Sequence, residues 1–323
     1  MKHDTLYAIG EALIDFMPDR SGCAFHEVSS FAPAVGGAPA NVCGAFARLG
    51  GSASMITLLG DDPFGRKIAL ELCRYGVDTS HICFTDKANT ALAFVSLDAD
   101  GQRTFSFYRN PSADLLLSPE QIESGWFDDA FALHFCSVSL VESPMRRAHS
   151  RAIADARAAG AIISFDPNLR FSLWPDREAL RRTVHEFLPL ADVVKLSDEE
   201  LQFIFGTDRI EQALPVLFAG RAQLVLYTCG GSGARAFTRS AAAFAPAAPC
   251  RVVDTTGAGD AFAGSFLFGL WADGVSADTL PGLSAAALER YLTFSNRYCA
   301  FSVGKKGALP SYPTMAQLDG AQL

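Results

Sequence analysis

Charge is scarce in this 323-residue sequence: charged side chains make up 19% of it, the formal net charge is −8, and no basic run occurs anywhere. A nucleic-acid-binding surface needs clustered lysine and arginine, so no nucleic-acid partner is expected. Long apolar runs are also missing. The stretch 261–272 falls short of the roughly 20 residues that cross a bilayer, so no membrane partner is expected either. The eight cysteines (Cys23, Cys43, Cys73, Cys83, Cys136, Cys229, Cys250 and Cys299) form no C-x-x-C pair and read as buried free thiols in a reducing compartment. The six histidines have no metal-ligand spacing. Met1-Lys2-His3-Asp4 leads into a strand-like run with no apolar h-region, so no secretory signal and a cytoplasmic location are expected. Two common phosphate loops are absent as well. After Gly257 and Gly259 the dinucleotide fingerprint needs a glycine where Phe262 stands. The nearest approach to a Walker A loop, Gly60 to Lys67, has Arg66 and Lys67 where Lys and Ser or Thr belong, with Asp61 and Asp62 beside the supposed phosphate.

What remains is a chain rich in apolar residues, 49% of the total, which fits a well-buried α/β protein of one large or two small domains. Short apolar runs at 6–10, 54–59, 132–136, 161–166, 192–196 and 223–228 end at Gly, Asp, Ser or Thr. Longer periodic stretches at 37–49, 64–75, 144–159, 177–188 and 197–205 lie between several of them. This alternation predicts a mainly parallel sheet with helices on both faces. From Thr256 onward the pattern is mainly helical, at 257–272 and 284–302. Two segments break the rhythm. Residues 15–31 read as irregular, and 89–97 with 103–108 alternate around Asp100-Gly101, a hairpin signal. The pair would form a small antiparallel sheet or, more plainly, an edge extension of the main one. No internal repeat, low-complexity tract or interdomain linker occurs.

The most informative stretch is Asp254-Thr255-Thr256-Gly257-Ala258-Gly259-Asp260-Ala261-Phe262. It sets a glycine-rich turn before an apolar helix, with a carboxylate in the first turn. Helix starts expose unpaired N–H groups and partial positive charge, and glycines let a phosphate approach them. Asp260 sits where it could take a proton from a hydroxyl, so the stretch suits phosphoryl transfer to an alcohol. The plain alternative is a helix capped by Thr256, with Asp260 complementing the dipole. Upstream, Gly36-Gly37-Ala38-Pro39-Ala40-Asn41 opens a second helix. It suits a polyol site or a tight turn with Asn41 facing solvent.

Together the two segments resemble the paired signatures of the ribokinase-like (PfkB) carbohydrate kinases, and the likeness runs through nearly the whole chain. It implies one kinase domain over 1–323 with a three-layer fold, and a β-lid from about 15–31 and 89–112 that could also join two copies as a homodimer. Gly10-Glu11-Ala12-Leu13-Ile14-Asp15 resembles the first strand and sugar-binding Asp. Thr228-Cys229-Gly230-Gly231-Ser232-Gly233 resembles the nucleotide loop. Lys195-Leu196-Ser197-Asp198-Glu199-Glu200 resembles the segment whose last Glu organises magnesium, with Ser197 in place of the frequent Asn. Three stretches look most like fructokinases: Tyr108-Arg109-Asn110-Pro111-Ser112-Ala113-Asp114, Asp166-Pro167-Asn168-Leu169-Arg170, and the Ser197 variant.

The resemblance assigns roles residue by residue. Asp260 is the general base, and Gly257, Ala258 and Gly259 supply N–H groups to the transferring phosphate. Asp15, Gly36, Gly37 and Asn41 bind sugar hydroxyls, Asp15 having a turn cap as its alternative. Arg109 and Arg170 are cations near phosphate or sugar, or else surface ion pairs. Ser197, Thr228, Gly230, Gly233 and Asn296 belong to the ATP side. Glu200 acts through the waters of Mg2+, since magnesium keeps several waters. Asp254, Thr256, Ser302, Lys305, Gly307 and Ser311 match positions that ring a monovalent cation such as K+. The leading reading is ATP-dependent phosphorylation of fructose. Ketodeoxygluconate or a riboside are alternative acceptors, the riboside needing an aromatic slot from Phe16, Phe31 and Phe107. A non-catalytic sugar-binding protein and a dinucleotide-dependent oxidoreductase are the readings from other classes.

Overall fold

The computed structural model describes residues 3–20, 22–97 and 103–320. The strands are β1 (Thr5–Ile9), β2 (Leu13–Pro18), β3 (Phe31–Gly36), β4 (Ser52–Gly60), β5 (Val77–Asp78), β6 (Ile82–Thr85), β7 (Leu92–Leu97), β8 (Arg103–Tyr108), β9 (Ala130–Cys136), β10 (Ile162–Asp166), β11 (Val193–Ser197), β12 (Leu224–Thr228), β13 (Ala234–Phe237) and β14 (Ala242–Ala245). The helices are α1 (Ala38–Arg48), α2 (Pro63–Arg74), α3 (Pro144–Ala158), α4 (Arg177–Phe187), α5 (Asp198–Phe205), α6 (Ile210–Ala219), α7 (Ala258–Ala272), α8 (Ala285–Val303) and α9 (Met315–Asp319).

One sheet runs β14-β13-β12-β11-β10-β9-β1-β4-β5, with β6 also on β4. Every pairing in it is parallel except those of β13 with β12 and with β14. Its central strands are buried on both faces, β9 along its whole length, as helices on both sides require. One apolar core lies on the side of α1, α7 and α8, and the other on the side of α3 to α6. The layering is the three-layer α/β architecture the alternation predicts. Among the described residues no helix is long and apolar enough to cross a membrane.

The second sheet, β3-β2-β7-β8, is separate and not an edge extension of the first. Residues 15–31 are less irregular than their sequence suggests, because β2 and β3 flank the loop and pair antiparallel. Pro18 and Pro33 hide the strand signal. Pro33 is tolerated because β3 is an edge strand, where a missing N–H breaks no ladder. β7 and β8 pair antiparallel as the hairpin signal predicts, while its Asp100-Gly101 turn lies outside the described residues. The β13–β14 hairpin and α6, with Pro215 inside it, are additions to the sequence reading. All eight cysteines are free, but only Cys43 and Cys136 are fully buried and Cys73 and Cys250 are exposed, which corrects the expectation for those two.

α7 is apolar on nearly every side because it packs between α1 and α8. A Cβ at Gly264 would lie 2.7 Å from Ala45 Cβ and 2.8 Å from the Val42 carbonyl oxygen, so the two helix backbones meet there. In an open helix, Gly→Ala stabilises by up to about 1 kcal/mol. Here the sign reverses: Gly264→Ala is expected to destabilise by about 1–3 kcal/mol through overpacking. Urea denaturation reads this directly, and a midpoint that rises would refute the close approach.

Candidate active site

Several parallel strands deliver polar side chains to their carboxyl ends, where open α/β sheets place ligands. α7 starts in front of them. Gly257, with φ +71°, is its N-cap, in place of Thr256. A side chain there would collide with Tyr312 Oη at 2.5 Å and Ala308 Cβ at 2.6 Å. The Tyr312 hydroxyl donates to the Gly257 carbonyl. The Ala258 N–H donates to Thr255 O at 3.2 Å, so it is committed within the turn. By helix geometry the N–H groups of Gly259 and Asp260 are then the ones turned outward. A Cβ at Gly259 would stand 3.5 Å from Lys195 Nζ, so an ammonium lies beside this helix start.

Asp260 is buried, and two amides hold its carboxylate. Asn41 Nδ2 donates to Oδ2 at 2.8 Å and Asn168 Nδ2 to Oδ1 at 3.2 Å. Asn41 therefore faces the Asp260 carboxylate and not solvent. Its own Oδ1 is buried with no hydrogen-bond partner, an acceptor awaiting a donor. Burial pushes the Asp260 carboxyl up to about 7; Asp166 adds to the rise, while the Asn41 bond, Arg170 and Lys195 oppose it. Lys195 and Asp166 form an ion pair at 2.8 Å, both almost fully buried. Burial opposes the Lys195 charge, but Asp166, Glu200 and Asp260 outweigh it and raise its pKa.

The second sheet supplies Asp15. In register, Asp15 pairs with Ala93 and Ala93 with Phe107, so all three share one face. Phe105 lies on that face too, and the Arg170 guanidinium sits 5.9 Å over its ring. The face carrying Asp15 is thus turned toward Arg170. Gly36 is needed because its Cβ would fall 2.2 Å from Asp15 Oδ2, and Gly37 because its Cβ would fall 2.4 Å from Glu11 O. Phe16 stacks on Phe94 and Phe31 packs against it, on the opposite face from Phe107. These three rings cannot form one aromatic slot.

Arg109 is neither a free cation at the site nor a surface pair. Its guanidinium is buried against Asp114 and donates to Val138 O at 2.8 Å and Ser139 Oγ at 2.9 Å. Ser139 Oγ in turn donates to Glu11 at 2.6 Å, and Glu11 accepts from Ala38 N–H at the start of α1. Burial raises the Glu11 carboxyl. Arg109 ties the end of β8 to the main sheet.

On the other side, Ser197 is the N-cap of α5, and its Oγ accepts from Glu200 N–H. Glu200 accepts from Ser197 N–H at 2.8 Å and Leu169 N–H at 3.3 Å. Burial and Asp166 raise its carboxyl against the pull of Lys195. Thr228 lies in register with Ser197, and Gly230, at φ +49°, opens onto free space. Gly233 is structural: a Cβ would come 2.3 Å from Ala245 O. The Asn296 amide donates to Ala245 O and Pro246 O, strapping α8 to the end of β14. Asp254 accepts from Thr256 and from Gly307 N–H, Ser302 and Ser311 share a hydroxyl bond at 2.7 Å, and the Lys305 N–H donates to Ser302 O. The Lys305 ammonium itself lies 4.0 Å over the Phe301 ring. Among the described residues no group of three or more His, Cys, Asp or Glu could hold a metal alone.

Residues 4–315 match the family described as pfkB family carbohydrate kinase. The chain belongs to that family. It is 42% identical over 318 residues to fructokinase-1 of Oryza sativa subsp. japonica, covering 98% of this chain and 97% of that protein. The fructokinase of Xylella fastidiosa solved with bound ATP superposes with a TM-score of 0.91 at 37% identity, covering 98% of this chain and 97% of that one. A Vibrio cholerae O395 fructokinase solved with fructose, ADP and calcium ion gives 0.86 at 34% identity, covering 98% of each. The fold of this carbohydrate kinase is ribokinase-like, and its chemistry is phosphotransfer. The oxidoreductase and non-catalytic readings fall with that assignment. Sequence reasoning passed over Lys195, whose signal is one cation in the apolar strand Val193-Val194-Lys195-Leu196.

A general-base role for Asp260, its carboxyl raised by burial, predicts a pH dependence. A base works ionised, so kcat/KM should fall about tenfold per pH unit below pH 7 and level off above it. Asp260→Asn keeps the shape and removes the proton acceptor, which should cost about 10²–10⁴ in kcat. Turnover within a few-fold of the parent, or a flat profile down to pH 5, would exclude Asp260 as the base.

Proposed function

We propose that this kinase transfers the γ-phosphoryl group of ATP to the primary 6-hydroxyl of D-fructose. The observation that carries the reading is the Asp260 carboxylate between two amides at the start of α7, with the Lys195 ammonium beside Gly259. The sugar hydroxyl oxygen attacks the γ-phosphorus, the bond to the β-phosphate oxygen breaks, ADP leaves, and Asp260 takes the hydroxyl proton. The N–H groups of Gly259 and Asp260 and the Lys195 ammonium lie where charge builds on the phosphoryl oxygens. Asn41 Oδ1 accepts from one sugar hydroxyl, and Asp15 from others on the far side of the cleft. Thr228 and Gly230 border the nucleotide.

Glu200 has both oxygens oriented by backbone N–H groups, which suits holding Mg2+ through water. That ion would neutralise charge on the phosphates when bound. Asp254 with the backbone oxygens around Ser302 suits K+, a singly charged cation that favours oxygen donors. Fructose as acceptor is supported by the named relatives and by the faces of the second sheet, which deny a riboside its aromatic slot. The eight unpaired thiols support a cytoplasmic setting.

Fructose, ketodeoxygluconate and a riboside, compared with ATP and magnesium by ADP release, test the acceptor. Fructose should give the highest kcat/KM, and Asp15→Ala should weaken sugar use far more than ATP affinity, because a site built for particular hydroxyls leaves its own groups unpaired otherwise. A higher kcat/KM for either other acceptor would overturn fructose and leave the kinase reading standing.

The second sheet acts as a lid that excludes water when sugar binds. Its outer face carries Phe16, Phe25, Phe31, Phe94 and Tyr108, with Tyr108 64% exposed, a patch suited to joining two copies. Hydrogen exchange in β2, β3, β7 and β8 should slow with fructose, and sedimentation should show a dimer. Equal exchange rates would remove the closing lid, and an active monomer would remove the pairing.

A further inference from the structure

Asn168 has φ +45°, the only non-glycine residue with positive φ among the described residues. Such a backbone costs most residue types about 1 kcal/mol or more, and the phosphotransfer proposed above assigns it no task. Its place explains it. Asp166, at the end of β10, accepts from the Asn168 N–H at 3.2 Å through Oδ1 and holds Lys195 through Oδ2. Pro167 lies between, and its carbonyl accepts from Ser137 N–H. The turn is therefore anchored on both sides, and it ends with the Asn168 amide on Asp260 Oδ1.

We propose that Asn168 is a positioning residue for the base: the left-handed turn after β10 exists to deliver an amide donor to Asp260. This rests on Asp260 being the base. Three residue types adopt this backbone readily, and only one does the work. Glycine has no donor. Aspartate has the shape but adds a negative charge beside a carboxylate. Asparagine has both the conformation and the N–H. With Asn41 on one oxygen and Asn168 on the other, the carboxylate cannot rotate, and each oxygen keeps one lone pair. Asn168 is less buried than Asn41, so the Oδ1 side is the more open one. The attacking hydroxyl approaches there.

The other groups acting on Asp260 are two thiols, a tyrosine hydroxyl, two cations and Asp166. Burial raises the thiols of Cys136 and Cys299 and the hydroxyl of Tyr312, so they stay neutral. Lys195 stays protonated and Arg170 is a fixed cation. Asp166 is locked on Lys195. Glu200 lies beyond Lys195 and is followed separately by its own resonance.

Asn168→Gly is the decisive variant, because glycine adopts the turn without strain and so should fold at least as stably. Carboxyl-carbon NMR titration of free protein labelled at aspartate and glutamate follows Asp260 directly, with Asp260→Asn identifying its signal. In Asn168→Gly its midpoint should move up, because a donor to the ionised form is lost. The acid limb of kcat/KM should move up with it, and kcat on the plateau should fall about 10–100-fold. KM for ATP should stay within a few-fold. Asn168→Asp should move the midpoint further still. An unchanged midpoint in Asn168→Gly, or a melting temperature that drops with the activity, would overturn the assignment. The titration needs no substrate, so an enzyme that ignores fructose would sink the acceptor while the midpoint still decides this role.

Discussion

Lys195 and Asp166 meet at 2.8 Å with both side chains almost fully buried, Asp166 ending β10 and Lys195 lying in the middle of the neighbouring β11. Removing two charges from water costs several kcal/mol per ion, and a buried pair of this kind seldom repays that in stability alone. Its return here is arrangement. Asp166 sets the turn that carries Asn168, and Lys195 stands beside Gly259 at the start of α7. One ion pair thus fixes the turn beside Asp260 and sets a positive charge at the start of α7. Without Lys195, Asp166, Glu200 and Asp260 would be three buried carboxyl groups that have lost their shared cation.

A second buried network anchors the second sheet as the first anchors the turn beside Asp260. Glu11, Ser139, Arg109 and Asp114 join the end of β8 and the start of α1 to the main sheet. The segment on which Arg109 lies is therefore an anchor. Phe105 under the Arg170 guanidinium is a contact between β8 and the segment that follows β10.

Helix α7 links the two halves. Its first turn presents N–H groups to the cleft, while Gly264 and Gly269 let α1 and α8 approach closely. The same α1 carries Asn41 to Asp260. Packing at Gly264 and the 2.8 Å bond at Asp260 are consequences of one helix pair lying very close together, so core volume and site geometry are coupled in this family member.

Local sequence determined much of this protein. Alternating apolar runs specified the parallel sheet and its two helical layers, because buried strands and amphipathic helices have different periods. The two glycine-rich helix starts and Asp260 stood out, because unpaired N–H groups and a nearby carboxylate are properties of a few adjacent residues. The tertiary structure decided what depends on distant partners. Arg109 looks like a ligand cation in its own segment, and only Asp114, Val138 and Ser139 make it a strut. Pro18 and Pro33 masked two strands whose pairing depends on each other. Lys195 is one cation in an apolar strand until Asp166 on the next strand neutralises it. Asn168 is an ordinary turn residue until Asp260, 92 positions later, takes its amide. A hydrogen bond or an ion pair across the fold leaves no period in the sequence, so only the folded chain reveals it.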